Sequence, residues 1–257
     1  MSDESRPHRT AAVIPAAGRG VRLGPGAPKA LRGIGGTPML IHAVRAMARS
    51  RAVSLVVVVA PPDGAAEVRN LLDEHALPER TEILVVPGGD TRQESVRAGL
   101  DALPDGVTTV LIHDAARPLV PVDTVDAVAQ AVRDGAPAVV PAMPLADTVK
   151  EVEPGKPGEA EPVVATPERA RLRAVQTPQG FDLVTLKRAH DELAGDTAGG
   201  EGATDDAGMV ERLGVTVVVV PGHEDALKVS RPLERGGRGR GRWRPRAGRG
   251  ESGPARP

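Results

Sequence analysis

The stretch AAVIPAAGRGVRLGPGAPKAL, residues 11–31, decides the fold. It opens with an apolar run, Ala11–Pro15, that predicts a strand buried on both faces. A loop with four glycines follows, and a helix-like pattern comes after it. Glycines let the backbone approach a phosphate closely, and successive N–H groups form an anion-binding concavity. Arg22 and Lys29 carry the positive charge for such a site, although a loop of this composition is also found as a plain connector.

Five further apolar runs alternate with amphipathic segments along the chain. These predicted strands are Leu55–Ala60, Ile83–Val86, Val107–Ile112, Ala138–Ala142 and Val215–Val220. Runs that are apolar throughout are typical of parallel strands covered by helices on both faces. The alternation predicts an α/β fold with a Rossmann-like, doubly wound, mostly parallel sheet. In such folds, ligands bind at the carboxyl ends of the strands.

Three helix ends carry recognisable signals. Thr37 is predicted as an N-cap with Pro38 at the first helical position. Thr91 and Glu94 have the spacing of a capping box, in which each side chain bonds the backbone of the other residue. Gly135 is expected to end the helix that begins near residue 122.

Residues 147–169 interrupt this alternation. Two short extended stretches flank a segment rich in proline, glycine and glutamate, which predicts a β-hairpin arm projecting from the sheet. Apolar residues on both limbs indicate an arm that packs against something, and a second copy of the chain is the expected partner.

Composition limits the class of protein. The chain has no cysteine, which excludes disulfides and thiolate metal sites and fits a reducing compartment. No apolar run approaches the roughly 18 residues that span a membrane. We therefore expect a cytoplasmic protein with no membrane partner.

The predicted domain covers residues 10–234, between two segments expected to be disordered, 1–9 and 235–257. The second segment carries eight arginines and one glutamate among glycine and proline, a composition that cannot bury a core. It is either an end without a role, a chain end read out of frame, or an RNA-binding segment. One tryptophan is little for base stacking, so nucleic acid is not the expected partner.

Charged side chains follow three of the later strands. GGDTRQESV places Asp90, Arg92 and Ser95 at a helix start, and HDAARP places Asp114 and Arg117 after the next strand. LKVSRP adds Lys228 after the last strand. Ordinary capping, a surface lysine and, for His113, a partly buried histidine with one hydrogen bond are the structural alternatives. Their occurrence together after strand ends favours a site.

The motifs PAAGRGVRLGPGAPK, GGDTRQESV, HDAARP, ADTVK, TPQGF, TDDAGMVE and LKVSRP stand in an order that resembles the 2-C-methyl-D-erythritol 4-phosphate cytidylyltransferases of the non-mevalonate isoprenoid pathway. The resemblance spans about residues 10–234 and implies the nucleotidyltransferase fold. It also implies the transfer of a cytidylyl group from CTP to the polyol phosphate with release of pyrophosphate. Mg²⁺ would be the cofactor, held mainly by the CTP phosphates, with no metal site made by protein ligands alone.

The resemblance also implies site residues and an assembly. The expected catalytic residues are Arg22, Lys29 and Lys228, with Asp225 as a candidate to orient Lys228. Nucleotide binding is assigned to Pro15, Ala16, Ala17, Gly18, Gly20, Gly89, Asp90, Arg92, Ser95, Asp114 and Ala115, and substrate binding to Arg117, Thr148, Arg169 and Thr177. The arm is expected to reach across a homodimer, which would bring Thr148 and Arg169 to the neighbouring site.

Two other functions stay open at this point. One is a related cytidylyltransferase that acts on another polyol phosphate, such as ribitol 5-phosphate. The other is a nucleotide-binding or RNA-associated protein whose tail matters more than its cavity. The resemblance further implies a final amphipathic helix where this chain has its arginine-glycine segment, which is why a frame-shifted end is a hypothesis for that segment.

Overall fold

The computed structural model describes residues 9–17, 29–156, 158–193 and 205–229. The strands are β1 (Arg9–Pro15), β2 (Gly33–Ile34), β3 (Thr37–Pro38), β4 (Val53–Ala60), β5 (Glu82–Pro87), β6 (Val107–Ile112), β7 (Ala138–Pro144), β8 (Glu151–Val152), β9 (Val163–Ala165), β10 (Arg173–Val175), β11 (Gln179–Asp182) and β12 (Val217–Pro221). The helices are α1 (Met39–Arg49), α2 (Ala65–Asp73), α3 (Arg92–Asp101), α4 (Val122–Arg133), α5 (Leu183–Glu192) and α6 (Asp206–Arg212).

Eight of these strands form the main sheet, in the order β10-β7-β11-β6-β1-β4-β5, and β12 also pairs with β7. The neighbours β6, β1, β4 and β5 are parallel, and β12 is parallel to β7. The predicted mostly parallel sheet is confirmed. The sequence patterns did not predict β10 and β11, which are antiparallel to their neighbours.

Helices cover both faces of the sheet. One apolar layer contains side chains of α1, α2 and α4, and the other contains side chains of α3, α5 and α6. Successive residues of β1 alternate between them, because Ala12 and Ile14 belong to the first layer and Ala11 and Val13 to the second. The sheet is therefore doubly wound, as predicted, and Phe181 fills part of the second layer.

Two of the three predicted helix ends are confirmed. The Thr91 and Glu94 side chains form the reciprocal capping box at the start of α3, and Gly135 adopts φ +104° just beyond α4. The prediction for Thr37 is wrong, because α1 begins at Met39 with Pro38 as its N-cap. Thr37 instead pairs with Ile34 in a short hairpin, so its extended backbone belongs to a strand.

The predicted arm is an antiparallel pair of strands, β8 and β9, that forms a sheet separate from the main one. Val163 and Val164 of β9 are 56% and 58% exposed. At the other end of the chain, β1 begins at Arg9, one residue before the predicted domain boundary. The remainder of segment 1–9 and the segment 235–257 lie outside the described residues. None of the helices within the described ranges is long and apolar enough to cross a bilayer.

Candidate active site

A cavity of about 920 Å³ lies where the parallel strands β1, β4, β5 and β6 end. This is the edge at which doubly wound sheets bind ligands. Its walls come from the segments after these strands, from the turn around Thr177 and from Lys228. The lining residues are Pro15, Ala16, Ala17, Ala30, Pro61, Pro62, Asp63, Gly89, Asp90, Thr91, Arg92, Ser95, Asp114, Ala115, Ala116, Arg117, Val175, Gln176, Thr177, Gln179, Asp205 and Lys228.

The wall after β5 is built by close packing around the start of α3. A Cβ atom on Gly88 would lie 2.7 Å from the Ser95 Oγ, and one on Gly89 would lie 2.4 Å from the Glu94 Cβ. Neither position has room for a side chain. The buried Ser95 hydroxyl donates to the Thr91 carbonyl at 2.9 Å, so the glycines and Ser95 together set the shape of this wall.

A chain of alternating charges crosses the cavity wall. The Lys228 Nζ lies 2.7 Å from one Asp114 oxygen, and the Arg92 Nη2 lies 3.7 Å from the other. The same Arg92 nitrogen lies 2.7 Å from the buried Asp206 carboxylate, and the His190 Nε2 lies 3.4 Å from that carboxylate. Residues distant in sequence are thus joined electrostatically at one strand edge.

These ion pairs oppose the effect of burial on the acids. Burial alone raises the pKa of Asp114, but Arg92 and Lys228 outweigh it and hold that pKa below its ordinary value. For Asp206, burial also raises the pKa, and Arg92 with His190 reverses the shift. Both acids are therefore charged at neutral pH.

His113 and Thr177 meet behind the cavity wall. The His113 Nδ1 and the Thr177 Oγ1 share a hydrogen bond of 3.0 Å, and the Asp114 backbone N–H donates to the same hydroxyl at 3.1 Å. His113 is fully buried, more than predicted, with the expected one hydrogen bond. Burial lowers the pKa of His113 to about 4, so the ring is neutral at physiological pH.

Comparison with known proteins identifies the family. The family model for IspD, 2-C-methyl-D-erythritol 4-phosphate cytidylyltransferase, matches residues 10–235. The chain belongs to this family. As a member of it, the protein is an enzyme of the nucleotidyltransferase class.

Individual cytidylyltransferases are similar to this chain in sequence and in structure. Proteins of this name from Streptomyces avermitilis and Streptomyces coelicolor are 76% and 78% identical over 239 and 229 residues. These matches cover 91% and 89% of this chain and 93% and 83% of the relatives. Among solved structures, the 2-C-methyl-D-erythritol 4-phosphate cytidylyltransferase from Thermus thermophilus has 32% sequence identity to this chain and a TM-score of 0.64. The match covers 86% of this chain and 93% of that one. The 4-diphosphocytidyl-2C-methyl-D-erythritol synthase from Anaerococcus prevotii is 26% identical with a TM-score of 0.71, over 87% and 93%.

Most of the predicted cytidylyltransferase site residues line one cavity. They are Pro15, Ala16, Ala17, Gly89, Asp90, Arg92, Ser95, Asp114, Ala115, Arg117, Thr177 and Lys228. Gly18, Gly20 and Arg22 lie outside the described residues. Lys29 begins the short 3-10 helix Lys29–Leu31, but its side chain is not among those that the structure describes.

The two predicted arm residues are not among those that line the cavity. Thr148 and Arg169 stand on the arm, where the Arg169 guanidinium donates to the Ala146 carbonyl at 2.5 Å. Within one chain, the structure does not bring them to the other site residues. Their predicted role in a neighbouring subunit stays a prediction.

Arg117 and Asp225 make contacts that the sequence did not predict. The Arg117 guanidinium donates to the carbonyls of Ala226 and Val175 at 2.7 and 3.1 Å, so it ties the segment before Lys228 to the cavity wall. Lys228 is paired with Asp114 and not with Asp225, whose carboxylate lies 3.7 Å from the His223 Nδ1. The suggestion that Asp225 orients Lys228 is therefore wrong in this structure.

Two glutamines and two acids were missed as site residues. Gln176 exchanges hydrogen bonds of 2.8 and 3.0 Å with the backbone of His223. Gln179 donates to Asp205 at 2.5 Å and accepts from the Ala207 N–H, which fixes the start of α6 and so Asp206. The motifs TPQGF and TDDAGMVE contain Gln179 and both acids, and these motifs were the available signal.

The described residues of the cavity offer few ligands to the Mg²⁺ ion that the sequence resemblance implies. Among the described residues, no group of three or more histidines and acids could hold a metal ion. Asp114 faces the cavity, but both of its oxygens already lie near cations. A Mg²⁺ ion that keeps several waters and binds through substrate phosphates suits such a site better than a cage of protein ligands.

Proposed function

We propose that this enzyme transfers the cytidylyl group of CTP to 2-C-methyl-D-erythritol 4-phosphate and releases pyrophosphate. The reaction takes place in this cavity and is a step of isoprenoid precursor synthesis. The observation that supports it is the convergence of Arg92, Asp114 and Lys228 beside the backbone of Ala16 and Gly89 at one strand edge. Fixed cations and backbone N–H groups at one strand edge are what the phosphates of a nucleoside triphosphate require.

The reaction forms one P–O bond and breaks another. A phosphate oxygen of the polyol phosphate attacks the α-phosphorus of CTP, and the bond to the β-phosphate breaks as pyrophosphate leaves. Negative charge grows on the equatorial and leaving oxygens, and fixed cations stabilise that charge more than they stabilise the ground state. Lys228, 49% exposed and 2.7 Å from Asp114, is one such cation, and Arg22 and Lys29 are assigned the same role by their place in the family motif.

Cytosine recognition is assigned to the wall after β5. Gly89, Asp90 and Ser95 border the cavity there. Because Gly88 and Gly89 have no room for side chains, the backbone groups of this wall are held at fixed positions. A base whose edge does not match fixed donors and acceptors would leave buried polar groups unpaired.

Mg²⁺ is the proposed cofactor. When bound, it neutralises part of the triphosphate charge. Asp114 is one of the carboxylates of the cavity wall, and in this structure it is paired with Lys228. The chain's own contribution is to hold cations and backbone N–H groups in place around the phosphates.

The proposed assembly is a homodimer that forms through the arm in the cytoplasm. Val163 and Val164 are exposed on a hairpin that pairs with no other strand within the described ranges. Burying them against a second copy is favourable by the hydrophobic effect. Thr148 and Arg169 would then reach the partner's cavity.

Pyrophosphate release tests this function directly. The wild-type enzyme with CTP and Mg²⁺ should release pyrophosphate when 2-C-methyl-D-erythritol 4-phosphate is added and at a much lower rate with ribitol 5-phosphate. Lys29→Ala should lose most of the turnover. Equal rates with both polyol phosphates would contradict the substrate assignment. If Lys29→Ala turned over CTP at the wild-type rate, the glycine-rich loop would have no catalytic role.

A further inference from the structure

Asp206 is a fully buried acid that the proposed mechanism does not use. It is the first residue of α6 and lies between two basic side chains. One carboxylate oxygen is 2.7 Å from the Arg92 Nη2, and the other is 3.4 Å from the Nε2 of the buried His190. Asp206 thus connects the second apolar layer to a residue of the cavity wall.

The position of Asp206 is set without Arg92. The neighbouring Asp205 caps α6 by accepting from the Gly208 N–H at 2.9 Å, and Gln179 bonds both Asp205 and the Ala207 N–H. These contacts anchor the first turn of α6 to β11. The carboxylate is therefore a fixed point to which a longer, half-exposed side chain can attach.

Burying this charge is costly unless it is paired. An apolar residue of similar volume would often serve stability as well or better. The Arg92 side chain is 38% exposed, so the pair joins a buried acid to a base that still reaches the cavity. That geometry suits the orientation of a ligand-binding group better than it suits packing.

Asp206 also determines which part of Arg92 remains available. Both carboxylates, Asp206 and Asp114, face the same nitrogen, Nη2, at 2.7 and 3.7 Å. Within the described ranges, no acceptor is paired with the Nε or the Nη1 of Arg92. Because the guanidinium is planar and rigid, its other donors stand at fixed angles to the nitrogen that the carboxylates hold.

We propose that Asp206 is a positioning residue for nucleotide binding: it holds the Arg92 guanidinium at Nη2 so that the remaining N–H groups face the oxygens of CTP. The His190 Nε2 lies 3.4 Å from the second carboxylate oxygen. The inference rests on the proposed function, since it takes CTP as the ligand of the cavity.

The affinity for CTP shows whether Asp206 positions Arg92 or only supports the fold. Asp206→Asn keeps the shape of the side chain and removes its charge, and the loss of one charge-assisted contact should raise the Kd for CTP with Mg²⁺ by about tenfold in calorimetric titration. In the Arg92→Met background, the same change should have less than about a twofold effect, since the group it positions is gone. Circular dichroism would confirm that each variant is folded.

A matched control is available on the same helix. Arg97 of α3 pairs with Asp191 of α5 on the protein surface, so Asp191→Asn also removes an acid that joins α3 to a neighbouring helix. This variant should bind CTP as the wild type does. A loss of affinity equal to that of Asp206→Asn would show a general effect of loosening α3 and would overturn the proposal.

Arg92→Lys keeps the inference testable if Asp206→Asn does not fold. A lysine keeps the charge opposite Asp206 but lacks the planar fork, so it should bind CTP about tenfold more weakly. Wild-type affinity in this variant would overturn the proposal, as would wild-type affinity in a folded Asp206→Asn. If the wild-type enzyme itself does not bind CTP, the proposed function fails as well, which distinguishes the two outcomes.

Discussion

The cavity edge and the arm place their side chains in opposite environments. At the cavity edge, Asp206 is buried, the Asp114 side chain is only 15% exposed, and both acids are paired with basic side chains. On the arm, the apolar residues Val163 and Val164 are more than half exposed, and Arg169 is bonded to a carbonyl of its own segment. Each arrangement is unfavourable by itself, since burying charge and exposing valine both raise the free energy.

The contrast shows which region is complete within one chain. The acids of the cavity edge have partners from α3, α5 and the segment after β12. The arm has no such partner among the described residues of the main sheet. We therefore expect the cavity edge to respond to substitutions in the monomer, and the arm to respond through assembly.

Removing the cavity lysine should have the largest effect. Lys228→Ala deletes a cation next to the developing charge, so kcat should fall by roughly 100-fold to 1000-fold in the pyrophosphate assay. Lys150→Ala is the matched control on the arm, where the Lys150 Nζ lies 2.7 Å from the Thr166 Oγ1. If kcat fell equally in Lys228→Ala and Lys150→Ala, the predicted difference between the cavity edge and the arm would be wrong.

Acid should weaken the cavity edge through His113. Its pKa of about 4 in the fold lies below the ordinary 6.5, so the unfolded chain binds the extra proton as pH falls through this window. Stability should therefore decrease by about 3 kcal/mol between pH 6.5 and pH 4 because of this residue. Urea unfolding measured across that range gives the total change.

His113→Asn isolates the histidine from other acid effects. Asp114 and Asp206, whose pKa values are lowered by their basic partners, also lose stabilising charge in acid, but they do so in both proteins. The stability difference between wild type and His113→Asn should shrink toward pH 4. A difference that stays constant with pH would contradict a buried neutral ring.

Glycine substitutions should separate the two regions by packing. A Cβ on Gly99 in α3 would lie 2.4 Å from the Val13 Cγ1 and 3.0 Å from the Val59 Cγ2, so Gly99→Ala should cost about 1–3 kcal/mol in urea unfolding. On the arm, a Cβ on Gly155 would lie 3.7 Å from the Glu161 Cγ, which is an ordinary van der Waals distance. Gly155→Ala should stay within about 0.5 kcal/mol of wild type, and an equal cost at both glycines would contradict this packing.

Shortening an exposed arm valine should have the smallest effect. If β9 packs on a second copy, Val163→Ala removes two buried methyl groups and should raise the dimer dissociation constant by about tenfold in sedimentation. Val184, which is 76% exposed on α5, provides the control Val184→Ala. If the dissociation constant changes equally in both variants, or in neither, the prediction that β9 lies in the dimer interface is wrong.

Local patterns were sufficient for the framework of this fold. The apolar runs of β1, β4, β5 and β6 predicted a buried parallel sheet, because such runs stay out of water only when helices cover both faces. The capping box of Thr91 and Glu94 was readable because its two residues are three positions apart and bond each other directly. Thr37 was misread because a competing hairpin with Ile34 takes its backbone.

The sequence by itself thus determined the layered sheet, the start of α3, the hairpin of the arm and the family motifs that follow the strands. Only the tertiary structure decided which charges meet. Lys228 pairs with Asp114 across 114 positions because Arg117 and the Ala116 carbonyl hold the segment from Ala226 to Val229 against the wall. Electrostatic energy depends on distance through space and on burial, and neither is encoded in the spacing of residues along the chain.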